Sequence, residues 1–225
     1  MAEPTIIEGG INDSIPNTFW DIVGAPILDP SRYVKYFNDF FAYVAADWNL
    51  TGTPTVALNN SSVAGGVLDI STIATINTRA VVDLNSEPFE FAIGKRAWCA
   101  VRFALLDVAT TEFEAGVKSN ATNGIYFRVN NGGAANVLQL VILNGSGSRI
   151  VDLGTVNATS VFTAGWFYDG GDEVHAYFND TLVTVETGIS GFINTVQSTP
   201  RFDVENLTAA VRTASVDYFF ACQDR

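Results

Sequence analysis

Two glutamates on one predicted strand are the residues of this sequence best suited to acid and base chemistry. Glu112 and Glu114 are two positions apart, so a strand places both side chains on one face. Two carboxyl groups about 5 to 10 Å apart can hydrolyse a glycosidic bond. The next positions on that face are Gly116 and Lys118, which supply no further acid. We therefore expect an exposed strand rim here, and we predict no catalytic residues.

The single histidine and three aspartates form the next polar group. His175 follows Asp172 and Glu173, but no motif supplies a nucleophile for an imidazole base to activate. Strand alternation predicts that His175 lies at the surface of a hairpin strand. Asp169, Asp172 and Asp180 lack the ligand spacing of an EF-hand loop, and turn chemistry accounts for them. No metal and no other cofactor is predicted.

Three tryptophans raise the question of a sugar site. Such a site needs an aromatic platform and a few polar groups, and Trp48, Trp98 or Trp166 could supply the platform. Packing in a core or an interface is the favoured interpretation of all three. A carbohydrate-binding role therefore stays open as an alternative, with no particular glycan indicated.

The two cysteines are typical of buried thiols. Cys99 alternates with apolar residues on its strand, and Cys222 is in step with Val216, Tyr218 and Phe220 on the last strand. Two cysteines do not make a disulfide framework in a chain of 225 residues. A single disulfide between them remains an alternative.

Composition and charge restrict the partners. The chain has 24 acidic and 12 basic residues, a formal net charge of −12, which repels nucleic acid and anionic lipid headgroups. No stretch approaches the ~20 apolar residues that a membrane helix needs. The first ten residues are acidic and lack the basic start and apolar run of a signal peptide. We expect no nucleic-acid partner, no membrane partner and synthesis in a cytoplasm.

Period-two alternation predicts an all-β protein. Asn-Gly pairs at 123–124 and 144–145 suit tight hairpin turns, so the central region should be an antiparallel meander. No segment keeps a helical apolar period for three turns. The fold class is therefore an antiparallel β-sandwich or jelly roll. The predicted strands include residues 33–40, 44–50, 65–72, 79–85, 89–93, 97–105, 125–129, 137–143, 149–153, 163–168, 173–178, 181–185 and 216–221.

Residues 1–35 differ from the rest and are predicted to form an extended N-terminal arm, with the sandwich domain at 36–225. Four of the 7 prolines lie in this segment, and proline removes ladder donors from a sheet. The arm nevertheless has too much apolar surface to be left in water. Either it docks on a neighbouring subunit or it folds back on its own sandwich. The candidate interface residues are Phe19, Trp20, Ile22, Val23, Ile27 and Leu28.

Four pieces of the sequence resemble the concanavalin A-like lectin and glucanase sandwich, a jelly roll whose last strand returns beside the first. They are Phe-Asn-Asp-Phe at 37–40, Gly-Gly-Val-Leu at 65–68, the hairpin from 168 to 180 and Val-Asp-Tyr at 216–218. More narrowly, residues 36–225 are similar to tailed-bacteriophage virion proteins of this fold, in which a strand like 95–103 precedes one like 123–127.

This resemblance implies a capsid decoration or cement protein on the exterior of a bacteriophage head, forming a homotrimer and binding the major capsid protein. The acidic charge suits an exterior position, because such a protein needs no affinity for DNA. The alternative is a lectin-like virion module that binds a carbohydrate or a receptor. A glycoside hydrolase is a distant third. Glucanases of this fold carry a run of three acidic residues, whereas in this chain no third acid follows Glu112 and Glu114 on their strand face.

Overall fold

The computed structural model describes residues 32–59, 66–120, 123–130, 136–145, 147–193 and 195–225, and two antiparallel sheets make up this part of the chain. The predicted all-β antiparallel sandwich is confirmed. Two short 3-10 turns, Ala45–Asp47 and Ser190–Phe192, interrupt the strands. No helix in the described residues is long and apolar enough to cross a membrane.

Sixteen strands can be traced in the described residues. In chain order they are β1 (Tyr33–Asn38), β2 (Trp48–Gly52), β3 (Thr55–Leu58), β4 (Leu68–Ser71), β5 (Arg79–Leu84), β6 (Phe89–Glu90), β7 (Ala97–Leu105), β8 (Thr111–Asn120), β9 (Asn123–Asn130), β10 (Val137–Asn144), β11 (Gly147–Thr155), β12 (Val161–Tyr168), β13 (Glu173–Phe178), β14 (Thr181–Thr187), β15 (Gln197–Asn206) and β16 (Thr213–Asp224).

The strands divide equally between two sheets. Sheet I has the order β14-β13-β12-β7-β16-β4-β3, and β1 also pairs with β16. Sheet II has the order β11-β10-β9-β8-β15-β5-β2, and β6 also pairs with β15. The last strand thus runs beside the first, as the resemblance implied. The predicted meander is confirmed too, because β9, β10 and β11 pair consecutively.

The core lies between the inner faces of the sheets and is rich in aromatic side chains. Phe103 of sheet I and Phe113 of sheet II have ring centroids 4.9 Å apart. Phe219 and Phe202 make a second contact across the sandwich, at 5.3 Å with perpendicular rings. Each such side chain contributes about 1.5–3 kcal/mol when it is removed from water, so these contacts hold the two sheets together.

The predicted arm lies almost wholly outside the described residues, as do Phe19, Trp20, Ile22, Val23, Ile27 and Leu28. Strand β1 begins at Tyr33, so the last three residues of the predicted arm, 33–35, pair with β16 and belong to sheet I. The sandwich therefore starts earlier than the predicted boundary at residue 36.

Candidate functional site on sheet II

A row of polar side chains crosses the outward face of sheet II. Adjacent strands place these residues opposite one another, while their chain neighbours, such as Phe113 and Val129, face the core. Period-two alternation thus separates a polar surface from an apolar interior. From β15 to β11 the row consists of Asp203, Glu114, Arg128, Gln139 and Asp152.

Glu114 is the centre of the charged group. It forms ion pairs with Lys118 and, at 3.2 Å, with Arg79. The Arg79 Nε also donates to Asp203 Oδ1 at 2.6 Å. The side chain of Lys118 is only 2% exposed and that of Glu114 13%. Burial lowers the pKa of Lys118, and the Glu114 carboxylate opposes that shift.

Tyr126 lies beneath this ion pair. The Lys118 ammonium is 4.0 Å from the centroid of the Tyr126 ring, a cation–π distance. Burial raises the pKa of Tyr126 to about 12, and the negative charge of Glu114 adds to the shift. The ring is therefore a neutral surface whose face the ammonium occupies.

The remaining polar groups of this face also contact one another through hydrogen bonds or ion pairs. Arg128 Nη2 donates to Gln139 Oε1 at 2.9 Å, and Gln139 Nε2 donates to Asp152 Oδ1 at 2.7 Å. Arg201 lies 3.4 Å from Asp83 and 3.4 Å from Asp203. A ligand that approached this face would have to compete with these contacts.

A shallow groove of about 280 Å³ opens beside the ion pair. That volume is just below the ~300–1,000 Å³ of typical small-molecule sites. One wall is charged and the other apolar, so the groove can accept a small ligand with both characters. Its lining residues are Arg79, Glu114, Lys118, Tyr126, Arg128, Val141, Leu143, Ser148 and Ile150.

The predicted exposed rim at Glu112 and Glu114 is wrong. Strand β8 lies inside sheet II, between β15 and β9, and Glu114 is largely covered. Glu112 faces Glu205 across the ladder, and burial raises the pKa of Glu205, with Glu112 adding to that shift. The next face position, Gly116, packs closely, since an added Cβ would lie 2.5 Å from the Tyr126 Cα. The acids nearest the two glutamates are therefore Asp203 and Glu205 of β15, which the ladder places directly opposite them, and not a residue further along β8.

The prediction for His175 is also wrong, because the imidazole is buried. It does face the same way as Glu173 and Tyr177, as alternation predicted, and its Nε2 lies 3.2 Å from Glu173 Oε2. The neighbouring Phe167 ring meets it edge-on at 5.4 Å between centroids. His175 therefore packs against the Phe167 ring on the outward face of sheet I, which the sequence pattern did not reveal.

The aspartates serve turns. Asp169 Oδ1 accepts hydrogen bonds from the backbone N–H of Gly171 at 2.7 Å and of Glu173 at 3.1 Å. Asp172 accepts from the N–H groups of Ser190 and Gly188, and these hydrogen bonds lower its pKa. Turn roles are confirmed for Asp169 and Asp172. Within the described ranges, no group of three His, Cys, Asp or Glu side chains could hold a metal ion.

The tryptophans and cysteines of the described part are buried residues. Trp48, Trp98 and Trp166 are all buried, so none presents a free sugar platform. Cys99 and Cys222 are buried free thiols, and burial raises the pKa of Cys222 to about 12.

One detail of the last strand differs from the prediction. A bulge in β16 between Val216 and Tyr218 breaks the alternation. Val216 therefore faces the core, whereas Tyr218, Phe220 and Cys222 face outward. Cys222 is not in step with Val216.

Sequence reasoning missed most of the polar face. Arg79, Lys118, Arg128 and Asp203 each occupy an outward strand position, and that periodicity is visible in the sequence. The pairing of β8 with both β9 and β15 is not visible in the sequence, because β15 comes about 80 residues after β8 in the chain. The sequence therefore indicates that each of these residues faces outward, but it does not indicate that they lie together.

Comparisons with known proteins agree on the fold. No protein-family model and no curated protein matches the chain. Three solved structures are similar to most of the chain.

The structure of lectin II from Ulex europaeus has a TM-score of 0.62 at 10% identity, and the match covers 85% of this chain and 99% of the lectin. The Emp47p carbohydrate recognition domain has a TM-score of 0.60 at 10% identity, covering 86% and 97%. A protein of unknown function from Shewanella oneidensis MR-1, SO2946, has a TM-score of 0.58 at 14% identity, covering 86% and 87%. The chain has the jelly-roll fold of concanavalin A-like lectin domains.

Proposed function

We propose that this protein is a non-catalytic structural protein of a bacteriophage virion, a decoration protein that binds the major capsid protein on the head exterior. The proposal starts from the resemblance to phage virion proteins inferred from the sequence of residues 36–225, and the net charge of −12 suits it. The structural observation that carries it is a set of exposed aliphatic side chains on three hydrogen-bonded loops at one end of the sandwich. The exterior of the capsid is the proposed location.

We call this surface the apolar end. It consists of Ile73, Ile76, Leu106 and Val211, which lie on three loops and are 40 to 58% exposed. Backbone hydrogen bonds hold the loops together: Thr72 N–H donates to the Arg212 carbonyl at 2.9 Å. Exposed aliphatic side chains that cluster on a surface mark contacts with other proteins.

A buried asparagine fixes the shape of the apolar end. Asn206 Oδ1 accepts from the backbone N–H of Thr78 at 2.8 Å, and Asn206 Nδ2 donates to the carbonyls of Ile73 and Ala210 at 2.8 and 2.9 Å. One side chain thus bridges two of the loops. A preorganised surface loses less conformational entropy on binding, which favours a role in stable attachment.

Substitution of the apolar end tests the proposal. Leu106→Asp and Ile76→Asp should abolish co-sedimentation of the protein with particles that lack it, without unfolding the sandwich. Ile93→Asp is the matched control, because Ile93 is an exposed aliphatic residue before β7, whereas Leu106 follows β7 at its other end. Equal loss of attachment in all three variants, or in none, would contradict the assignment.

We also propose that the protein forms a homotrimer, because closed symmetry allows apolar surfaces to be buried reciprocally. Light scattering on the purified protein measures the mass directly. A monomer at every concentration would refute the trimer and leave attachment to the capsid as a separate question for co-sedimentation.

Carbohydrate binding at the groove of sheet II is the second candidate. The observation that favours it is the groove itself, with the donor Arg128 in its wall. Similar structures include lectins, although at 10% identity they support the fold alone. A glycan array with Arg128→Ala tests this candidate, and Arg149→Ala is the control because Arg149 pairs with Glu186 elsewhere. Binding that only Arg128→Ala removes would favour a lectin.

We infer no hydrolase activity. Glu114 is engaged with two cations, and Glu112 faces another glutamate. A polysaccharide screen with the wild type, Glu112→Gln and Glu114→Gln examines this directly. Reproducible hydrolysis that either substitution removes would overturn the inference.

A further inference from the structure

A second apolar cluster lies on the outward face of sheet I, on the side away from sheet II. It is separate from the core, since the intervening residues Val101, Phe219 and Ala221 face inward. Its members pack as rings side by side, for example Trp98 on Phe167 at 5.3 Å between centroids. The outer cluster consists of Tyr33, Trp98, Ala100, Phe167, Tyr177, Leu182, Tyr218, Phe220 and Cys222.

The burial of this cluster exceeds what sheet I can provide. Trp98 is 2% exposed, Tyr177 0% and Phe220 4%. Every member of the cluster lies on a strand of sheet I. From outside these strands the Arg96 guanidinium lies 5.4 Å from the centroid of the Trp98 ring, but the Arg96 side chain is itself 38% exposed. Neighbours in the same sheet cover the sides of an outward-pointing ring but not its far end. Tyr33, Phe167 and Arg96 account for much of the cover over Trp98, whereas the low exposure of Tyr177 and Phe220 indicates a further layer of chain over this face.

We propose that residues 1–31 of the same chain form that layer. The other stretches outside the described residues are 60–65, 121–122, 131–135, 146 and 194, and none of them contains an aromatic residue or leucine. Residues 1–31 contain Phe19, Trp20, Ile22, Val23, Ile27 and Leu28. At about 25 cal/mol per Å² of apolar surface, burying several of these side chains stabilises the covered state by several kcal/mol.

The position of Arg32 supports an intrachain contact. It directly precedes Tyr33, which belongs to the outer cluster and lies 6.1 Å from Trp98 between ring centroids. The segment thus joins the sandwich at the border of the face that needs cover. An extended chain of 31 residues spans up to roughly 100 Å, enough to cross the whole sheet. Between the two alternatives for the arm, the structure favours folding back on its own sandwich.

Two thiols provide the test. Cys222 belongs to the outer cluster, whereas Cys99 lies in the core between the sheets, so Cys99 reports global unfolding and Cys222 reports loss of the cover. In the full chain, both should resist alkylation. In the double variant Phe19→Asp and Trp20→Asp, we expect Cys222 to react at least about tenfold faster while Cys99 stays protected. Asn17→Asp is the control and should change neither rate.

A chain of residues 32–225 gives an independent measurement, with the site of alkylation read by mass spectrometry. If it folds, Cys222 should react and Cys99 should not. If Cys99 also reacts, at the rate measured in denaturant, the truncated chain has unfolded. The alkylation rates of the full-length double variant then decide whether residues 1–31 cover Cys222. Protection of Cys222 in that variant would overturn the proposal. Protection that the full chain loses on dilution would overturn it too, because a second copy would then supply the cover.

Discussion

Neutralising Glu114 should destabilise the protein far more than neutralising its neighbour Glu112. Glu114→Gln removes the carboxylate paired with the buried Lys118 ammonium and leaves it with a neutral amide oxygen and the face of the Tyr126 ring. Removing one member of a buried ion pair typically costs about 3–5 kcal/mol, and the partial exposure of Glu114 places our expectation at about 2–4 kcal/mol. Urea unfolding followed by tryptophan fluorescence measures the loss. Glu112→Gln should cost less than about 1 kcal/mol.

The partner substitution makes this prediction specific to the buried charge. Lys118→Met keeps most of the side-chain volume and removes the charge, so the double variant with Glu114→Gln should regain about 1–3 kcal/mol relative to Glu114→Gln alone. Strictly additive losses in the two single variants would refute the reasoning. So would equal losses in Glu114→Gln and Glu112→Gln.

The pH dependence of the Glu114→Gln variant has a defined sign. Burial lowers the pKa of Lys118 below its ordinary value of 10.5, and loss of Glu114 removes a contact that raises it. Between the lowered pKa of the folded state and the ordinary value of 10.5, the unfolded state binds more protons at this lysine than the folded state does, so stability rises with pH. The deficit of Glu114→Gln should therefore shrink as the pH is raised towards about 10.

Two further substitutions test the loops. Asn206→Ala should cost about 2–4 kcal/mol in thermal or urea unfolding, because it leaves buried backbone groups without partners, whereas the exposed Asn85→Ala should be nearly neutral. Gly66→Ala should destabilise the protein strongly or prevent folding, because the new Cβ would lie 1.5 Å from the Phe40 carbonyl oxygen. Gly145→Ala meets no atom within 4 Å and is its control.

The sequence predicted the strands whose alternation is unbroken. The prediction for residues 97–105 coincides with β7, and the Asn-Gly turns correctly indicated the β9–β11 meander. Strand β15 was not predicted. It contains Pro200, which usually argues against an interior strand, but Pro200 lies between the residues that pair with β6 and those that pair with β5. Local propensity could not reveal that interruption of the ladder.

The candidate site was less predictable because it depends on pairing over long sequence distances. Lys118 looked like an ordinary charged residue on a strand, yet the neighbouring strands bury it against Tyr126. His175 looked like a surface residue because its own strand alternates, yet it is buried and the Phe167 ring of the neighbouring strand β12 packs edge-on against it. In both cases the environment is a property of the assembled sheet, not of the segment.

Imaging of the virus particle is the most direct test of the proposed function. Electron cryomicroscopy of particles encoded by the same genome should show density for this sandwich on the outer surface of the head, with the apolar end directed towards the capsid shell. Absence of the protein from the particle would contradict the account, as would its presence on the tail alone or attachment through the groove face of sheet II.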